Sequence, residues 1–438
     1  MTKKQQPLAP EDRLTAALVP EEEWPYALPE GWKWVYGKGF LLPMETEYPT
    51  GKSFRYIDIE SIDNNVQRVR SPKKLSVQKA PSRASRKLHT GDTLFSMVRP
   101  YLKNIAYIDE ECSNCIGSTG FYVCTPTASV DSRYLYWLMV SPYVVNGLNH
   151  FMKGDNSPSI RKGDIENFSY PLPPLSDQRR LVARIESLFA KLDAAREKVQ
   201  SVLDSHETRK AALLHDAFTG KLTARWREEQ SAKISSWKTM SFEDCIEKMQ
   251  NGLSKRRGDS GEYVNVLRLT NIAPESLSFQ DMRKILLTPD EKKKYKLAPE
   301  DVLMVRVNGS KDNVGKQLYI DKKDAEHQLT FCDHLIRIHY NGQLVSPRFM
   351  VYFSHTMQYK SYIEKNMVSS AGQNTISRKG MKNLSLRLPS LPEQEEIVRI
   401  LNRLLAREQR ARQAAEETLA AIDRMKQSIL ARAFRGEL

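Results

Sequence analysis

From Asn64 to Gly91 the chain has no acidic residue and carries eight basic ones: Arg68, Arg70, Lys73, Lys74, Lys79, Arg83, Arg86 and Lys87. Ser, Gln, Asn and Pro fill the gaps between them. Cations arranged this way suit a row of phosphates, because each phosphate neutralised releases counterions and stabilises binding. A solvated loop is the plainer reading, but loops of that size usually mix signs. Shorter clusters recur later, Lys255-Arg256-Arg257 and then Arg306, Asn308, Lys311 and Lys316. Reading base edges needs bidentate groups, Arg for guanine and Asn or Gln for adenine. Arg99, Lys103 and Asn104 follow one expected strand, and Arg306 and Asn308 lie on or just past its counterpart. Ser157-Pro158-Ser159 and Gln373-Asn374, with Arg378 just beyond, precede two long helices. These residues are the candidate contacts to bases or backbone.

Catalytic sets are weaker. Gly309 to Lys316 looks like a phosphate loop, but five residues separate its glycines and Gln317 replaces the required Ser or Thr. Gly37-Lys38-Gly39 is followed by Phe40 and Leu41, where a dinucleotide turn would open a helix. Asp290 with Asp321-x-Lys323 mimics a nuclease's acidic pair and lysine, a pattern frequent by chance in a Lys-rich segment. Metal-assisted cleavage also needs such carboxylates side by side. Cys112 and Cys115 form a lone CxxC near Cys124, and zinc would need a fourth ligand that His89 supplies at no motif spacing. No Asn-Pro-Pro-Tyr motif of an amino-methyltransferase occurs. The expectation is a binder, with no metal or cofactor of its own and its cysteines as buried free thiols.

The composition agrees. Over 438 residues the net charge is +14, with 40% hydrophobic and 27% charged residues, which suits a globular protein with a polyanionic partner. No run of about 18 apolar residues occurs, so no membrane span is expected. Met1 to Pro10 is Lys/Gln-rich and lacks the apolar core of a signal peptide. Five cysteines are too sparse for a disulfide framework and fit a cytoplasmic location.

The elements that must position these residues come twice. Residues 170–222 lie over residues 386–438 at a constant offset of 216, with 16 identities in 53 positions. Each copy should be a long helix, the first opening near Ser176 and the second at Pro392. The first carries an apolar seam of Leu181, Ile185, Leu188, Leu192, Ala195, Val199 and Val202, spaced alternately by four and three. Its copy runs Ile397, Leu401, Leu404, Glu408, Ala411, Ala415 and Thr418, then Ile422, Met425 and Ile429. A sustained 3.5-residue period favours a coiled-coil pair over two helices packed on their own domains. Each would span about 60 Å. Helices related by a twofold axis across the rod would run antiparallel, with Glu408 and Thr418 leaving the middle narrow or wet.

Looser matches precede the helices. Tyr56-Ile57-Asp58-Ile59 resembles Tyr263-Val264-Asn265-Val266, and Asp92-Thr93-Leu94-Phe95 resembles Asp301-Val302-Leu303-Met304, as strands. Val130 to Tyr134 resembles Val345 to Phe349 at the head of an aromatic-rich helix, and Ser159-Ile160 sits over Thr375-Ile376. A kept frame with divergent loops is expected if each module reads a different target. Leu14-Thr15-Ala16 echoes Leu222-Thr223-Ala224, so the N-terminal arm is expected to dock where the chain would continue past Leu438.

Two variable domains alternate with helices that open Leu-Pro-x-Leu-x-[Asp/Glu]-Gln (Leu172–Gln178, Leu388–Gln394) and close Ala-Phe-x-Gly-x-Leu (Ala217–Leu222, Ala433–Leu438). From about Trp24 to Leu438 this resembles the specificity subunit of a type I restriction-modification system. The resemblance implies an α+β fold with an internal pseudo-twofold repeat. Its parts would be an arm (1–23), a target-recognition domain (24–172), a spacer helix (173–222), a linker (223–236), a second recognition domain (237–388) and a second helix (389–438). It further implies double-stranded DNA as ligand, each domain reading half of an asymmetric split site. The helices would dock two methyltransferase subunits using S-adenosylmethionine on adenine, and separate restriction subunits would use ATP and Mg to translocate and cut. Two other readings stay open: a coiled-coil interaction scaffold without DNA readout, and a nuclease that depends on Asp290.

Overall fold

The computed structural model describes residues 10–272 and 276–438, so the start of the expected N-terminal arm and residues 273–275 of the expected second recognition domain lie outside it. It divides into two compact units. Unit one comprises the chain up to Gln200 with Glu416–Leu438, and unit two comprises Ser201–Ala415. Among the described residues, no helix is long and apolar enough to cross a membrane.

In unit one, strand Lys33–Tyr36 runs antiparallel to Ser169–Leu172, with Lys33 opposite Leu172. That pairing brings both ends of the module together at the start of the long helix. A four-stranded sheet follows in the order Lys73–Ser76, Ser53–Ile57, Ile116–Ser118, Ala84–Lys87. Three antiparallel strands, Phe121–Cys124, Thr93–Ser96 and Ile105–Tyr107, form a second sheet. Helices Ser132–Val140 and Pro142–Asn149 begin at Asp131 and Ser141, whose side chains accept from the first free backbone N–H groups. Phe95, Tyr122, Tyr134 and Leu138 share one core with Leu181 and Ile185 of the first long helix and Phe434 from the end of the second.

Unit two repeats the plan. Strand Lys238–Ser241 pairs with Ser385–Leu388, placing Lys238 opposite Leu388 as Lys33 lies opposite Leu172. The first sheet has its counterpart in Arg283–Leu287, Glu262–Leu267 and Leu329–Phe331, the last two parallel. Val302–Val305 is the counterpart of Thr93–Ser96, and helix Pro347–Phe353 that of Ser132–Val140. Hydrogen bonding corrects one match read from the residues. Tyr56 lies opposite Lys73 and Ile116, while Val266 lies opposite Arg283 and Thr330. Tyr56 therefore corresponds to Val266, not to Tyr263. A shift of three residues swaps the faces of a strand, so Tyr56 is buried and Tyr263 is exposed.

The two helix motifs have identified work. Gln178 Oε1 accepts from the Asp131 backbone N–H at 2.8 Å, and its Nε2 donates to the carbonyls of Ser129 and Pro173. Gln394 makes the same three bonds with Ser346, Leu344 and Pro389. Each glutamine, fully buried, staples the head of its helix to the module before it. At the other end Phe218 packs on Phe349 at 4.9 Å between ring centres, and Phe434 on Tyr134 at 5.5 Å. Gly220 and Gly436 follow with φ of 82° and 76°, a left-handed turn that glycine adopts without strain.

The helices begin one residue before the expected positions, at Leu175 and Leu391. The second continues to Ala433, whereas the first divides into Leu175–Asp204 and His206–Phe218. At the break Ser205 Oγ donates to the Ser201 carbonyl, and Arg209 Nη2 donates to that of Val202. In unit one Lys426 meets Asp193 and Arg196 meets Asp423, so partner numbers fall as the first helix rises and the segments are antiparallel. In unit two Arg209 holds Glu408 at 2.7 Å, while Leu214 shares a core with Ile397 and Leu401. The sense is again antiparallel.

Seam burial is uneven. Leu181, Ile185, Ile397, Leu401 and Ile422 are buried, and Leu188, Leu192, Val199 and Leu404 half-buried. Met425 is 52% exposed, and Ala411 and Thr418 are exposed, while Ala415 is buried. Of the seam positions past Leu401, the second helix fully buries Ala415 and Ile422, where the pattern expected two in every heptad. At the exposed positions Ala411 and Thr418 are small or polar, whereas Met425 is apolar and left uncovered.

The N-terminal arm docks differently from the expectation. Leu14-Thr15-Ala16 ends a short helix beside the first strand, where the Tyr36 N–H donates to the Ala17 carbonyl at 2.9 Å. The segment that meets the end of the second helix is Tyr26–Pro29: Tyr26 Oη donates to the Phe434 carbonyl at 2.8 Å, and Arg435 lies over its ring. Pro29 crowds Gly436 as Ile234 crowds Gly220, and each stands three residues before a buried tryptophan, Trp32 or Trp237.

Candidate nucleic-acid interface

The basic stretch of unit one is not a loose loop. It folds into a hairpin (Ile62–Asp63 with Arg68–Val69) and the strands Lys73–Ser76 and Ala84–Lys87, which are the two edges of the first sheet. Lysines on edge strands also keep sheets from pairing with other chains, so part of this charge serves the fold. Lys73 is held by Asp58 and Glu60, and hydrogen bonds to those carboxylates raise its pKa. Burial pushes the Asp58 carboxyl up, but bonds from Lys73 and Ser61 bring it below its ordinary value. Lys87 is held by Glu45 at 2.8 Å. These pairs weaken the case for Lys73 and Lys87 as phosphate contacts. Arg86 is half-buried, whereas Arg68, Arg70, Lys74, Lys79 and Arg83 are exposed.

Beside the hairpin stands the turn Pro100–Leu102, between two non-glycine residues in the left-handed region, Arg99 (φ 48°) and Lys103 (φ 54°). Such conformations cost about 1–2 kcal/mol each and persist where surroundings enforce them. Asn64 Nδ2 grips the Leu102 carbonyl at 2.9 Å, and Arg99 Nη2 grips that of Asn156 at 2.6 Å, next to Ser157. The result joins the hairpin tip, the turn with its exposed Tyr101, and the Asn156–Ser159 loop. Ser157 is exposed there, whereas Ser159 is half-buried and bonded through its backbone to Lys153. Two candidates drop out on physical grounds. Asn104 is buried, and Lys103 turns its amine to Gln427 of the second helix, with its pKa lowered by burial.

In unit two the counterpart of Ser157–Ser159 is a strand, Gln373–Thr375, paired with Val307–Asn308 and with Val368–Ser370. Ala371-Gly372, both at positive φ, make the tight turn that presents exposed Gln373. Asn374 is buried; its Nδ2 donates to the carbonyls of Asn308 and Gly309, and its Oδ1 accepts from Ser369. It braces the hairpin and is not placed to read a base. Asn308 likewise serves the turn, accepting from Ser310 N–H at 2.9 Å. Lys311 and Arg378 are exposed, and Arg378 Nη1 also donates to the Met249 carbonyl.

Arg306 donates to the Asp333 carbonyl at 3.5 Å, at the rim of a cavity of about 280 Å³ lined by Lys255, Arg256, Arg268, Arg283, Asp333 and His334. Lys255 is held by Glu291 at 2.9 Å, and Arg256 and Arg257 are exposed. Arg268 and Arg283 form no cluster in the sequence, since one follows the strand Glu262–Leu267 and the other begins the strand Arg283–Leu287; folding places both on one cavity. Arg268 corresponds to Asp58, since each begins an equivalent single turn, Leu269–Asn271 and Ile59–Ser61.

The comparisons agree with this duplicated plan. The family profile described as "Type I restriction modification DNA specificity domain" matches residues 38–203 and 235–417. The chain belongs to that family. It is 31% identical over 313 residues to the type I restriction enzyme StySPI specificity subunit of Salmonella potsdam, covering 72% of this chain and 67% of that protein. It is 28% identical over 317 residues to the EcoKI specificity subunit of Escherichia coli, covering 72% and 68%. The crystal structure of the HsdS subunit from Thermoanaerobacter tengcongensis superposes with a TM-score of 0.65 at 27% identity, over 95% of this chain and all of that one. A chain from a structure on complex assembly and conformational transition of the type I R-M system gives 0.74 at 27% identity, over 94% and 100%.

The matched regions contain both candidate clusters and the cysteines considered for metal. All five thiols are free and buried, and burial pushes Cys112 up to about 12 and Cys115 above its ordinary value. Cys332, Asp333 and His334 bring ligand atoms within 4.8 Å of one another. Burial raises the Cys332 thiol as well, and the arginines of the same cavity oppose a cation, so these residues fit a metal poorly. The proposed nuclease pair is split: Asp290 lines one cavity with Lys293 and Lys294, whereas Asp321 caps helix Lys322–Glu326 and lines another.

Proposed function

We propose that this chain reads DNA for a type I restriction-modification complex, each unit contacting one half of an asymmetric split site. The observation that carries the reading is a frame kept in both units, down to the glutamine staples, under read-out elements that differ in charge and conformation. A strained Arg99–Lys103 turn faces the target in one unit, and an Ala371-Gly372 hairpin presenting Gln373 does so in the other. Phosphates are met by Arg68, Arg70, Lys74, Arg83 and Lys311, and bases by Arg99 and Gln373.

The helices offer two similar surfaces, which suits two copies of one methyltransferase subunit. Those partners supply S-adenosylmethionine-dependent adenine methylation, and restriction subunits supply the ATP- and Mg-dependent steps, in the cytoplasm. This chain contributes recognition and spacing and no catalytic group. Mapping methylated adenine across the genome with and without this gene tests the reading. Loss of one split, asymmetric motif is expected, and an unchanged methylome in a strain that otherwise methylates would overturn it.

A further inference from the structure

Equivalent positions in the two units carry opposite charge. Asp58, Glu60 and Lys73 of unit one form a closed network with one net negative charge. Their counterparts, by the Tyr56–Val266 register and the equivalent turns, are Arg268, Thr270 and Arg283, two positive charges of which Arg268 is paired with Asp281 at 3.1 Å. Arg268 Nη2 is braced by the carbonyl and carboxylate of exposed Asp281, and its Nε is buried without a hydrogen-bond partner. Arg283 is braced by a carbonyl, that of Arg256, and has no ion pair among the described residues. Among the described residues the cavity between them has one lining carboxylate, Asp333, whose carbonyl also holds Arg306 beside the Val307–Asn308 strand. Two braced guanidinium groups lining one cavity offer the kind of donors that bind phosphate bidentately.

We propose that this cavity clamps a backbone phosphate of the half-site bound by unit two, through Arg268 and Arg283, and that unit one has no such clamp. The inference rests on the DNA-reading role proposed above. The test titrates the full chain with a fluorescein-labelled mixed-sequence duplex across salt concentrations, comparing wild type, Arg268→Gln/Arg283→Gln and Lys73→Gln. The double variant is expected to flatten the slope of log K against log salt by about 0.9 for each phosphate it no longer neutralises. Lys73→Gln, already neutralised by Asp58 and Glu60, is expected to change it far less. Equal slopes for the double variant and wild type would overturn the clamp while leaving DNA binding intact, and equal losses for both variants would overturn the asymmetry. Salt-independent or absent binding by wild type would instead remove the DNA-reading role. Inorganic phosphate at constant ionic strength supplies the second arm. A melting shift in wild type alone, with unchanged duplex slopes, would assign the cavity to a free anion and overturn the backbone clamp.

Discussion

Unit one and unit two share the helix-head glutamine staple and the motif-end phenylalanine, yet they join helix to module by different means. In unit two the linker stays covalent, and Arg227 Nη1 donates to Glu393 Oε1 at 2.5 Å inside the fold, where Thr223 and Trp237 also donate to that carboxylate. In unit one the position of Glu393 belongs to Asp177, a partly exposed residue paired with Arg180. There the chain end is met by a different stretch of sequence, through the Tyr26 hydroxyl. The lesson is that a duplicated frame tolerates different fastenings so long as each buried polar group finds a partner.

The largest effect is expected from replacing residues 237–385 with the corresponding segment of a relative: methylome mapping should show one half of the motif changed and the other kept. Altered specificity in both halves would contradict independent reading. Next, Glu393→Ala leaves Arg227 buried without its carboxylate and should cost about 3–5 kcal/mol in urea unfolding. Asp177→Ala, at the matching position, should change stability by less than about 1 kcal/mol. Comparable losses would mean that the two fastenings are alike after all.

Gln178→Ala and Gln394→Ala should each cost roughly 2–3 kcal/mol by calorimetry, because each strands buried backbone groups. A large difference between them would break the likeness of the frames. The smallest effect concerns pH. Asp58 has a carboxyl lowered by its Lys73 and Ser61 bonds, so its contribution is present above the ordinary carboxylate range and fades as pH falls through the folded value. Lys73 is partly exposed, which keeps the term below about 1 kcal/mol. The urea midpoints of wild type and Asp58→Asn should therefore differ near neutrality and converge in acid; a gap that persists in acid would point to packing.

Much of the frame was legible in the residues because it is covalently periodic. The offset of 216 places Gln178 on Gln394 and Phe218 on Phe434, and both pairs do the same work in three dimensions. The read-out clusters were half legible. Arg68, Arg99 and Gln373 are exposed, but Asn374 and Asn104 look the same in sequence and are buried. An amide that reads a base and one that braces a turn share their chemistry, and only burial separates them. Met425 was misplaced in the seam for a related reason, since a heptad position is apolar by type whether or not a neighbour covers it.

The duplication, the helix heads and ends and the basic character follow from residue type at fixed spacing along the chain. Contacts between distant segments set the strand register that matches Tyr56 with Val266, the docking of Tyr26–Pro29 at the helix end, and the placing of Arg268 and Arg283 on one cavity. The physical reason is common to all three. A strand's period of two carries no label for which partner residue it will face, so hydrogen bonds and burial between distant segments must choose.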